Sequence, residues 1–287
     1  MGTPMAAHLA AGGHAVIAYD IALTCEQIPP ECLRGRNIEI SATPAELGAA
    51  DISISMLPNA AITDTVLFGP DGIVSAAVDG HIHVVMGTVG PSAVADFAHR
   101  AGITGVSIAD SPVSGSVSLA ETAQLTAIVG AETTVFERLQ PVLSLMTAKQ
   151  FHVGAVGAGS AAKVAVNTVL AALNEAIAEA IVLAQAGGVQ PADFYAVLAS
   201  SAVAAPYVDY KRDNFLDPDG SGVAFTLALL NKDVTLGLQL AEEHDLNLPQ
   251  ARAVAQILDR ALDSDLGQHD MAAVLKLLHS KGGDSVQ

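Results

Sequence analysis

The pattern of apolar segments changes at Gly157, and this change constrains the fold more than any other feature of the sequence. Before Gly157, short apolar runs bounded by Gly, Pro or Asp alternate with segments of helical periodicity. After Gly157 the periodicity is helical throughout. Strands that alternate with helices predict a mostly parallel sheet with helices on both faces. The sequence therefore predicts an α/β domain at residues 1–157, followed by an all-α domain at residues 158–287.

The same periodicities predict the individual elements. Strands are predicted at residues 14–20, 52–57, 82–86, 105–109 and 125–129. Helices of the first domain are predicted at residues 4–11, 44–49, 60–67, 91–100 and 133–146. Helices of the second domain are predicted at residues 160–186, 191–200, 225–244, 249–263 and 270–279, with a loop at 217–222. The first of these would be roughly 40 Å long at about 1.5 Å per residue, enough to join the two domains.

The net charge of −17, with only 13 Lys and Arg residues, argues against a nucleic-acid or anionic-membrane partner. The most apolar stretch, residues 164–186, is interrupted by polar side chains and is not predicted to span a membrane. These side chains are Asn167, Asn174, Glu175, Glu179 and Gln185. The first residues lack the basic region and apolar core of a signal peptide. A cytoplasmic location is therefore expected.

Cysteines and histidines give little reason to expect a metal site. Cys25 and Cys32 are too widely spaced for a metal knuckle and too few for a disulfide scaffold, so we interpret them as reduced structural thiols. His81 and His83 would face the same side of a strand, but no third ligand is close in sequence. We expect a structural role for both histidines, and no metal.

Lys163 is the only Lys or Arg between Gln150 and Tyr210. If Ser160 is the N-cap, Lys163 occupies the third helical position, where the positive end of the helix dipole opposes a cation. The same field disfavours the protonated amine, which suits a group that gives and takes a proton. Asn167, four residues on, shares the helix face. The alternative is a lysine whose stem covers apolar surface while its amine reaches water.

The beginning of the chain carries a family resemblance. Gly2, Thr3 and Met5 lie in a helical segment that leads into a strand ending at Asp20. This resembles the dinucleotide-binding start of the β-hydroxyacid dehydrogenase family, typified by 3-hydroxyisobutyrate dehydrogenase, without its first strand and first two glycines. The resemblance implies a Rossmann-type first domain, with Gly2 as the third glycine of the Gly-x-Gly-x-x-Gly loop. It also implies cofactor contacts from Gly2, Thr3 and Met5.

Asp20 falls where the family has a carboxylate for the adenosine ribose, which favours NAD over NADP. Arg34 and Arg36 leave NADP open as a cofactor. Because the first strand of such a sheet is central, its absence would expose unpaired backbone on both neighbouring strands. We therefore expect a start upstream of Met1, by roughly a dozen residues for a strand and its loop.

Two further segments resemble cofactor loops of the family. Met56-Leu57-Pro58-Asn59 resembles the loop after a central strand, and Met86-Gly87-Thr88 resembles the next cofactor contact, although Val85 stands where an acidic residue is common. The resemblance implies contacts from Met56, Leu57, Pro58 and Thr88. Taken singly, either segment would be an ordinary strand end.

The segment Asp110-Ser111-Pro112-Val113-Ser114-Gly115-Ser116 resembles the substrate loop of the family, which usually ends in Ser-Gly-Gly. Successive backbone amides and the Ser114 hydroxyl can hold a carboxylate, and Gly115 permits close approach of the ligand. Ser116 departs from the usual glycine. The resemblance implies substrate binding by Ser114, Gly115 and Ser116, with a simple turn as the alternative.

Gly159-x-x-x-Lys163-x-x-x-Asn167 resembles the catalytic signature of the family. Imine reductases usually lack this lysine, and 6-phosphogluconate dehydrogenases have a histidine where this chain has Val166, so both branches are disfavoured. The pattern Phe225-x6-Lys232-Asp233 resembles an element whose lysine reaches toward substrate and cofactor. The alternative for Lys232 is a solvated helix cation.

The resemblance implies an NAD(P)-dependent oxidoreductase that interconverts a short β-hydroxy acid, such as 3-hydroxyisobutyrate, and its semialdehyde. Lys163 would be the acid and base, Asn167 would fix the hydroxyl, and Ser114, Gly115 and Lys232 would hold the carboxylate. The resemblance also implies a pocket between the domains and a homodimer or homotetramer. Two alternatives remain: a reductase of glyoxylate, succinic semialdehyde or tartronate semialdehyde, and a non-catalytic binding protein that retains the fold.

Overall fold

The computed structural model of the chain describes residues 1–21 and 37–279. The chain divides into two compact units, Met1–Val164 and Ala165–Gln287. The predictions made for Cys25, Cys32, Arg34 and Arg36 lie outside the described residues.

Unit 1 contains two sheets in its described part. The strands are β1 Val16–Ala18, β2 Ile38–Ile40, β3 Ile52–Ser55, β4 Ile82–Val85, β5 Ser107–Asp110, β6 Val113–Ser114, β7 Leu125–Gly130 and β8 Thr147–Gly154. Strands β1 and β2 form a parallel pair, and the others form a six-stranded sheet in the order β3-β4-β5-β7-β6, with β8 also paired to β7. Pairing is parallel for β3 with β4, β4 with β5 and β7 with β8, and antiparallel where β7 meets β5 and β6.

The two sheets do not share a strand pair among the described residues.

Helices cover both faces of the larger sheet. They are α1 Gly2–Ala11, α2 Ala60–Phe68, α3 Pro91–Gly102, α4 Val117–Glu121 and α5 Thr133–Leu143, with 3-10 helices at Pro44–Ala49 and Ile73–Ala76. Strand β4 requires cover on both faces of the sheet, because all of its residues are buried. Ile82 and Val84 pack with Leu139 of α5 on one face, whereas Val85 packs with Phe97 of α3 on the other. This burial on both faces is typical of a strand inside a parallel sheet.

His81 and His83 join β4 to β3 through a buried hydrogen-bond chain. The Ser53 hydroxyl lies 2.7 Å from both His81 Nε2 and His83 Nδ1, and His83 Nε2 lies 3.0 Å from Ser55 Oγ. The chain ends at the Ala50 carbonyl, 2.7 Å from His81 Nδ1. Because a carbonyl only accepts, His81 Nδ1 is a donor, and with both rings neutral the chain is satisfied when His83 also carries its proton on Nδ1. Burial lowers the pKa of His83 to about 3, which agrees. Both histidines therefore help to join β3 to β4.

The second unit is helical. Helix α6 spans Ala158–Ala186 and runs from unit 1 into unit 2, and it is followed by α7 Pro191–Ala199, α8 Pro206–Leu216, α9 Leu227–Glu243, α10 Pro249–Asp263 and α11 Val274–His279. A 3-10 helix at Met271–Ala273 precedes α11. By length and composition α6 could cross a membrane. Its residues Ile177 and Ile181 are instead buried in the core of unit 2 with Tyr195, Leu230 and Leu258.

A buried ion pair links three parts of unit 2. Lys211 of α8 is fully buried, and its Nζ lies 2.6 Å from both carboxylate oxygens of Asp270. Asp270 also accepts hydrogen bonds from the backbone N–H groups of Ala224, Phe225 and Ala272. One carboxylate therefore holds helix α8, the segment before α9 and the 3-10 helix together. Neither the pair nor helix α8 is predicted from the sequence.

Glu175 of α6 is a buried carboxyl group. From the sequence it is recognised only as one of the polar side chains that interrupt residues 164–186. It is 5% exposed, and neither oxygen has a hydrogen-bond partner within residues 1–21 and 37–279. Burial raises the pKa of Glu175 to about 7, the charge of Glu179 adds to the rise, and Arg260 opposes it. Since the pKa of the unfolded carboxyl is about 4.3, the folded state keeps a proton that the unfolded state releases. Stability should therefore fall as the pH rises from about 4.5 to 7.

We expect Glu175→Gln to stabilise the protein at pH 8 but hardly at pH 4.5, because the amide stays neutral at both. The difference between the two pH values should be about 2–3 kcal/mol, since one pKa unit is worth about 1.4 kcal/mol. Guanidinium unfolding of both proteins at the two pH values measures it. Glu242→Gln, at an exposed position of α9, is the control and should leave the pH dependence unchanged. Equal effects of Glu175→Gln at both pH values would contradict the raised pKa.

Candidate active site

The two predicted cofactor loops of unit 1 touch each other. The loop after β3 begins at Met56 and the loop after β4 at Met86, and the N–H groups of Met86 and Gly87 both donate to the Ser55 carbonyl. A Cβ on Gly87 would lie 2.1 Å from the carbonyl oxygen of Leu57. The glycine is therefore required, because any side chain would collide with the neighbouring loop. Thr88 follows as a half-buried residue.

The N-terminus of α1 lies beside the first of these loops. Gly2 begins the helix, and a Cβ on it would lie 4.0 Å from Met56 Cβ. Thr3 is exposed, whereas Met5 is 3% exposed and packs in the core of unit 1. Pro58, in the same loop, is exposed. The structure thus places Gly2 beside Met56 and the loop of Leu57 against that of Gly87, whereas the Met5 side chain belongs to the core.

These features fit a dinucleotide. The carboxyl ends of parallel strands β3 and β4 meet a helix N-terminus, the usual place for a dinucleotide and its pyrophosphate. Asp20 is exposed and lies two residues beyond the carboxyl end of β1. A carboxylate there suits a ribose hydroxyl. Because the two loops meet at Gly87, residue 87 contributes no side chain where they touch.

We expect Gly87→Ala to weaken NAD binding, because the added methyl must push the two loops apart. Overpacking of this kind costs about 1–3 kcal/mol, which corresponds to a rise of about 5- to 150-fold in Kd. Titration of the protein with NADH, followed by cofactor fluorescence, measures the change. The control is Gly102→Ala at the end of α3, where a Cβ would meet no atom within 4 Å. Equal affinities of the two variants would contradict a role of this contact in the cofactor site.

The predicted substrate loop leads from β5 through β6 to α4. Ser114 pairs with Thr126 of β7 in an antiparallel register, and Gly115 follows with an exposed backbone. The Ser116 hydroxyl lies 2.6 Å from that of Ser118. The serine that replaces the usual glycine therefore makes a local hydrogen bond at the beginning of α4.

The first turn of α6 is held from outside the helix. The Asp110 carboxylate accepts a hydrogen bond from the Gly157 N–H at 2.7 Å and another from the Ser160 N–H. Burial raises the pKa of Asp110, and these backbone donors oppose the rise. The prediction that Ser160 is the N-cap is wrong, because α6 begins at Ala158 and Asp110 supplies the capping oxygens.

Close packing requires the glycine of the Gly159-x-x-x-Lys163 signature. A Cβ on Gly159 would lie 2.4 Å from the Ile128 carbonyl oxygen and 3.0 Å from that of Asp110. The helix backbone therefore packs directly on strands β5 and β7. No larger residue fits at this position without moving the helix or the strands.

Lys163 and Asn167 lie one turn apart on α6. Lys163 is half-buried and lies in the second turn of α6, not at the third helical position that the sequence predicts. The field of the helix dipole at its amine is therefore weaker than expected. The negative charge of Asp110 at the start of the helix reduces that field further. Asn167 is 2% exposed. Their assignment as a catalytic pair stays a prediction.

In unit 2, Asn167 and Lys232 meet at one carboxylate. Asn167 Nδ2 donates to Asp233 Oδ2 at 2.5 Å, and Lys232 Nζ lies 2.9 Å from Asp233 Oδ1. Asp233 is buried, and the Lys232 side chain is 27% exposed. Lys232 is thus not simply a solvated cation. This role of Asp233 is not predicted from the sequence, where its adjacency to Lys232 in the Lys-Asp element is the one signal for it.

Metal ligands are not grouped in the part of the chain that the structure describes. Residues 1–21 and 37–279 contain no cluster of three or more His, Cys, Asp or Glu side chains placed to hold a metal ion. The polar groups described above are two lysines, two carboxylates, an amide, hydroxyls and backbone N–H groups; of these, the lysines, hydroxyls and N–H groups suit proton transfer and the binding of a carboxylate.

Two family models together match almost the whole chain. The model of the NAD-binding domain of 6-phosphogluconate dehydrogenase matches residues 1–154. The model described as "NAD-binding of NADP-dependent 3-hydroxyisobutyrate dehydrogenase" matches residues 157–278. Both describe NAD-binding domains, so the cofactor is a nicotinamide dinucleotide, NAD or NADP.

Similar proteins extend over nearly the full length. A 2-(hydroxymethyl)glutarate dehydrogenase of Eubacterium barkeri is 34% identical, with 100% of this chain and 94% of the relative covered. A 2-hydroxy-3-oxopropionate reductase of Escherichia coli is 30% identical, with 97% and 94% covered. The structure of Mycobacterium tuberculosis 3-hydroxyisobutyrate dehydrogenase with L-serine has a TM-score of 0.83 at 29% identity, with 98% and 96% covered. The chain therefore belongs to the β-hydroxyacid dehydrogenase family and is an NAD-dependent dehydrogenase.

Proposed function

We propose that the enzyme interconverts a short β-hydroxy acid and its semialdehyde, with Lys163 as the acid and base. The observation that carries the proposal is the place of Lys163. It is the only Lys or Arg between Gln150 and Tyr210, and it follows a helix turn that is hydrogen-bonded to Asp110, the first residue of the predicted substrate loop. The loops that begin at Met56 and Met86 would hold a nicotinamide dinucleotide, which would supply the hydride acceptor for the carbinol carbon during oxidation.

In this proposal the residues of the chain orient the acid and move one proton. The neutral Lys163 amine accepts the hydroxyl proton during oxidation, and the ammonium returns it during reduction. Asp233 only accepts hydrogen bonds when ionised, so Asn167 must direct its Nδ2 toward Asp233. The amide oxygen of Asn167 is then oriented as an acceptor for a hydroxyl or an ammonium group. Ser114, Gly115 and Lys232 hold the substrate carboxylate.

The substrate class follows from what three similar proteins share. Their names refer to 2-(hydroxymethyl)glutarate, 2-hydroxy-3-oxopropionate and 3-hydroxyisobutyrate. Each compound carries its reacting oxygen on the carbon next to the one that bears the carboxylate. We therefore propose a β-hydroxy acid, with 3-hydroxyisobutyrate as the first compound to test.

A substrate panel tests this proposal. Initial rates with NAD are compared for 3-hydroxyisobutyrate, 2-(hydroxymethyl)glutarate, L-serine, glycerate and 4-hydroxybutyrate. The proposal expects turnover of at least one of the first four, and much slower turnover of 4-hydroxybutyrate, whose hydroxyl is one carbon further away. Turnover of 4-hydroxybutyrate alone, or of none of the panel with either NAD or NADP, would reject it.

A reductase is the second candidate, and the Escherichia coli relative named as a reductase favours it. Such an enzyme would work mainly toward the alcohol, on glyoxylate, succinic semialdehyde or tartronate semialdehyde. The kcat/KM values for both directions, with NADH and NADPH, separate the two candidates. A strong preference for NADPH and for reduction would favour the reductase.

We also propose a homodimer or homotetramer that works in the cytoplasm. Exposed apolar side chains on α6 support assembly through the helical part of the chain, namely Val166, Val169 and Leu183. Light scattering during size-exclusion chromatography measures the mass of the particle in solution. A mass of 29.2 kDa, that of one chain, would contradict the proposed assembly. Val169→Glu, on this exposed face, should shift the mass toward the monomer.

A further inference from the structure

The carboxylate of Asp110 is placed to cap a helix that begins far along the chain. Asp110 is the last residue of β5 and is fully buried. Its Oδ1 accepts from the Gly157 N–H at 2.7 Å, and its Oδ2 accepts from the Ser160 N–H. These N–H groups precede the point at which helical hydrogen bonds can satisfy them. A single side chain from a strand therefore supplies what a helix usually obtains from its own residues.

The capping is equivalent to both halves of a capping box. In that motif, one side chain accepts from the third helical N–H, and a second side chain accepts from the N–H of the capping residue. Here Gly157 precedes the first helical residue and has no side chain that could cap. The two oxygens of Asp110 take both roles, so the first turn of α6 is tied to the end of β5.

Close packing leaves this junction little freedom to move. A Cβ on Gly130 of β7 would lie 2.4 Å from Asp110 Oδ1 and 2.7 Å from the Gly159 nitrogen. A Cβ on Gly159 would meet the strand carbonyls in the same way. The carboxylate thus lies between two strands and a helix start, with glycines on both sides that admit it.

Asp110 is also the first residue of the loop that leads to Ser114 and Gly115. The same residue therefore begins the predicted carboxylate-binding loop and fixes the helix that carries Lys163. We propose that Asp110 is a positioning residue, whose carboxylate sets the distance between the Lys163 amine and a substrate held by Ser114 and Gly115. This inference rests on the proposed function only for its effect on turnover, because the capping itself can be measured without substrate.

The first test uses the unmodified protein. The Gly157 and Ser160 N–H groups can be protected from hydrogen exchange only through acceptors outside the helix, and Asp110 provides them. When hydrogen exchange is resolved to single amides, both should therefore exchange as slowly as amides inside α6. Exchange of either amide at the rate of an exposed loop would overturn the proposal, whatever the enzyme turns over.

The second test uses Asp110→Asn, which keeps the shape but replaces one acceptor oxygen with a donor. Exchange of the amides at the start of α6 should rise at least tenfold, and kcat should fall by about 10- to 100-fold, as expected for a catalytic group displaced by about 1 Å. The Kd of NADH should stay within about twofold, since binding energy at the cofactor loops does not involve this carboxylate. Asp79→Asn, at an exposed position of the same unit, is the matched control and should change none of these values.

A double variant shows whether Asp110 acts through Lys163. If it does, adding Asp110→Asn to Lys163→Ala should change kcat by less than about threefold, because coupled residues are not additive. If the fold-losses in kcat of the two single variants multiply in the double variant, the proposal is overturned. A normal rate of Lys163→Ala by itself would instead reject the proposed function and leave the exchange test to decide the capping. If Asp110→Asn does not fold, the exchange pattern of the unmodified protein still decides.

Discussion

Lys163→Ala should retain NADH binding and lose turnover by a factor on the order of 10² to 10⁴, the usual contribution of a positioned acid and base. The cofactor loops around Leu57 and Gly87 do not include Lys163, so the Kd of NADH should change little. Turnover falls because the sequence has no other lysine between Gln150 and Tyr210 that could replace Lys163 as the proton acceptor. Steady-state rates with the best substrate of the panel, together with NADH titration, measure both quantities.

Lys163→Arg separates proton transfer from charge. The guanidinium keeps the positive charge but does not release its proton in proteins, so it can support binding but not acid–base catalysis. We therefore expect Lys163→Arg to be nearly as slow as Lys163→Ala. Lys149→Ala, at an exposed position on β8, is the control and should retain normal rates. A rate near normal in Lys163→Arg would reject the acid–base role.

Lys211→Met should destabilise unit 2 by about 3–5 kcal/mol, the usual cost of removing one partner from a buried ion pair. The methionine fills a similar volume, so the loss reports the uncompensated charge of Asp270 rather than a cavity. Asp270→Ala should cost more, because it also leaves the N–H groups of Ala224, Phe225 and Ala272 without their acceptor. Guanidinium unfolding followed by circular dichroism measures both changes.

The exposed pair of Lys276 and Asp219 is the control for this effect. Lys276→Met should cost at most about 1 kcal/mol, because surface ion pairs contribute little. The double variant Lys211→Met with Asp270→Ala should cost less than the sum of the two single changes, since the two groups are in contact. Equal costs for Lys211→Met and Lys276→Met would contradict the burial of the Lys211–Asp270 pair.

The fold was predictable where burial produces a local pattern. Strand β4 is predicted from an apolar run because it is buried on both faces, and helix α10 from its helical period. Strand β8 was missed because most of its side chains are exposed and polar residues such as Lys149 and Gln150 interrupt the run. Helix α8 was missed because its segment contains four charged residues, among them the buried Lys211. The helix predicted at residues 44–49 is a 3-10 helix.

The candidate site was predictable as a set of motifs but not as a set of contacts. Gly87, Lys163 and Asn167 stand in segments that resemble those of the family, and the predicted cofactor loops do meet at Gly87. The roles of Asp110 and Asp233 were missed. Asp110 contacts residues 47 to 50 positions away, and Asp233 contacts Asn167 66 positions away, so neither contact leaves a periodic signal.

The sequence by itself determined the alternation of strands and helices in the first half, the change to a helical second half, and the residue types available for chemistry, because burial and turn geometry act on neighbouring residues. Only the tertiary structure decided which carboxylates hold which groups. Asp110 caps α6, Asp233 meets Asn167 and Lys232, and Asp270 neutralises Lys211. Such partners are chosen by packing between distant segments, where a buried charge must find a donor wherever the folded chain brings one near.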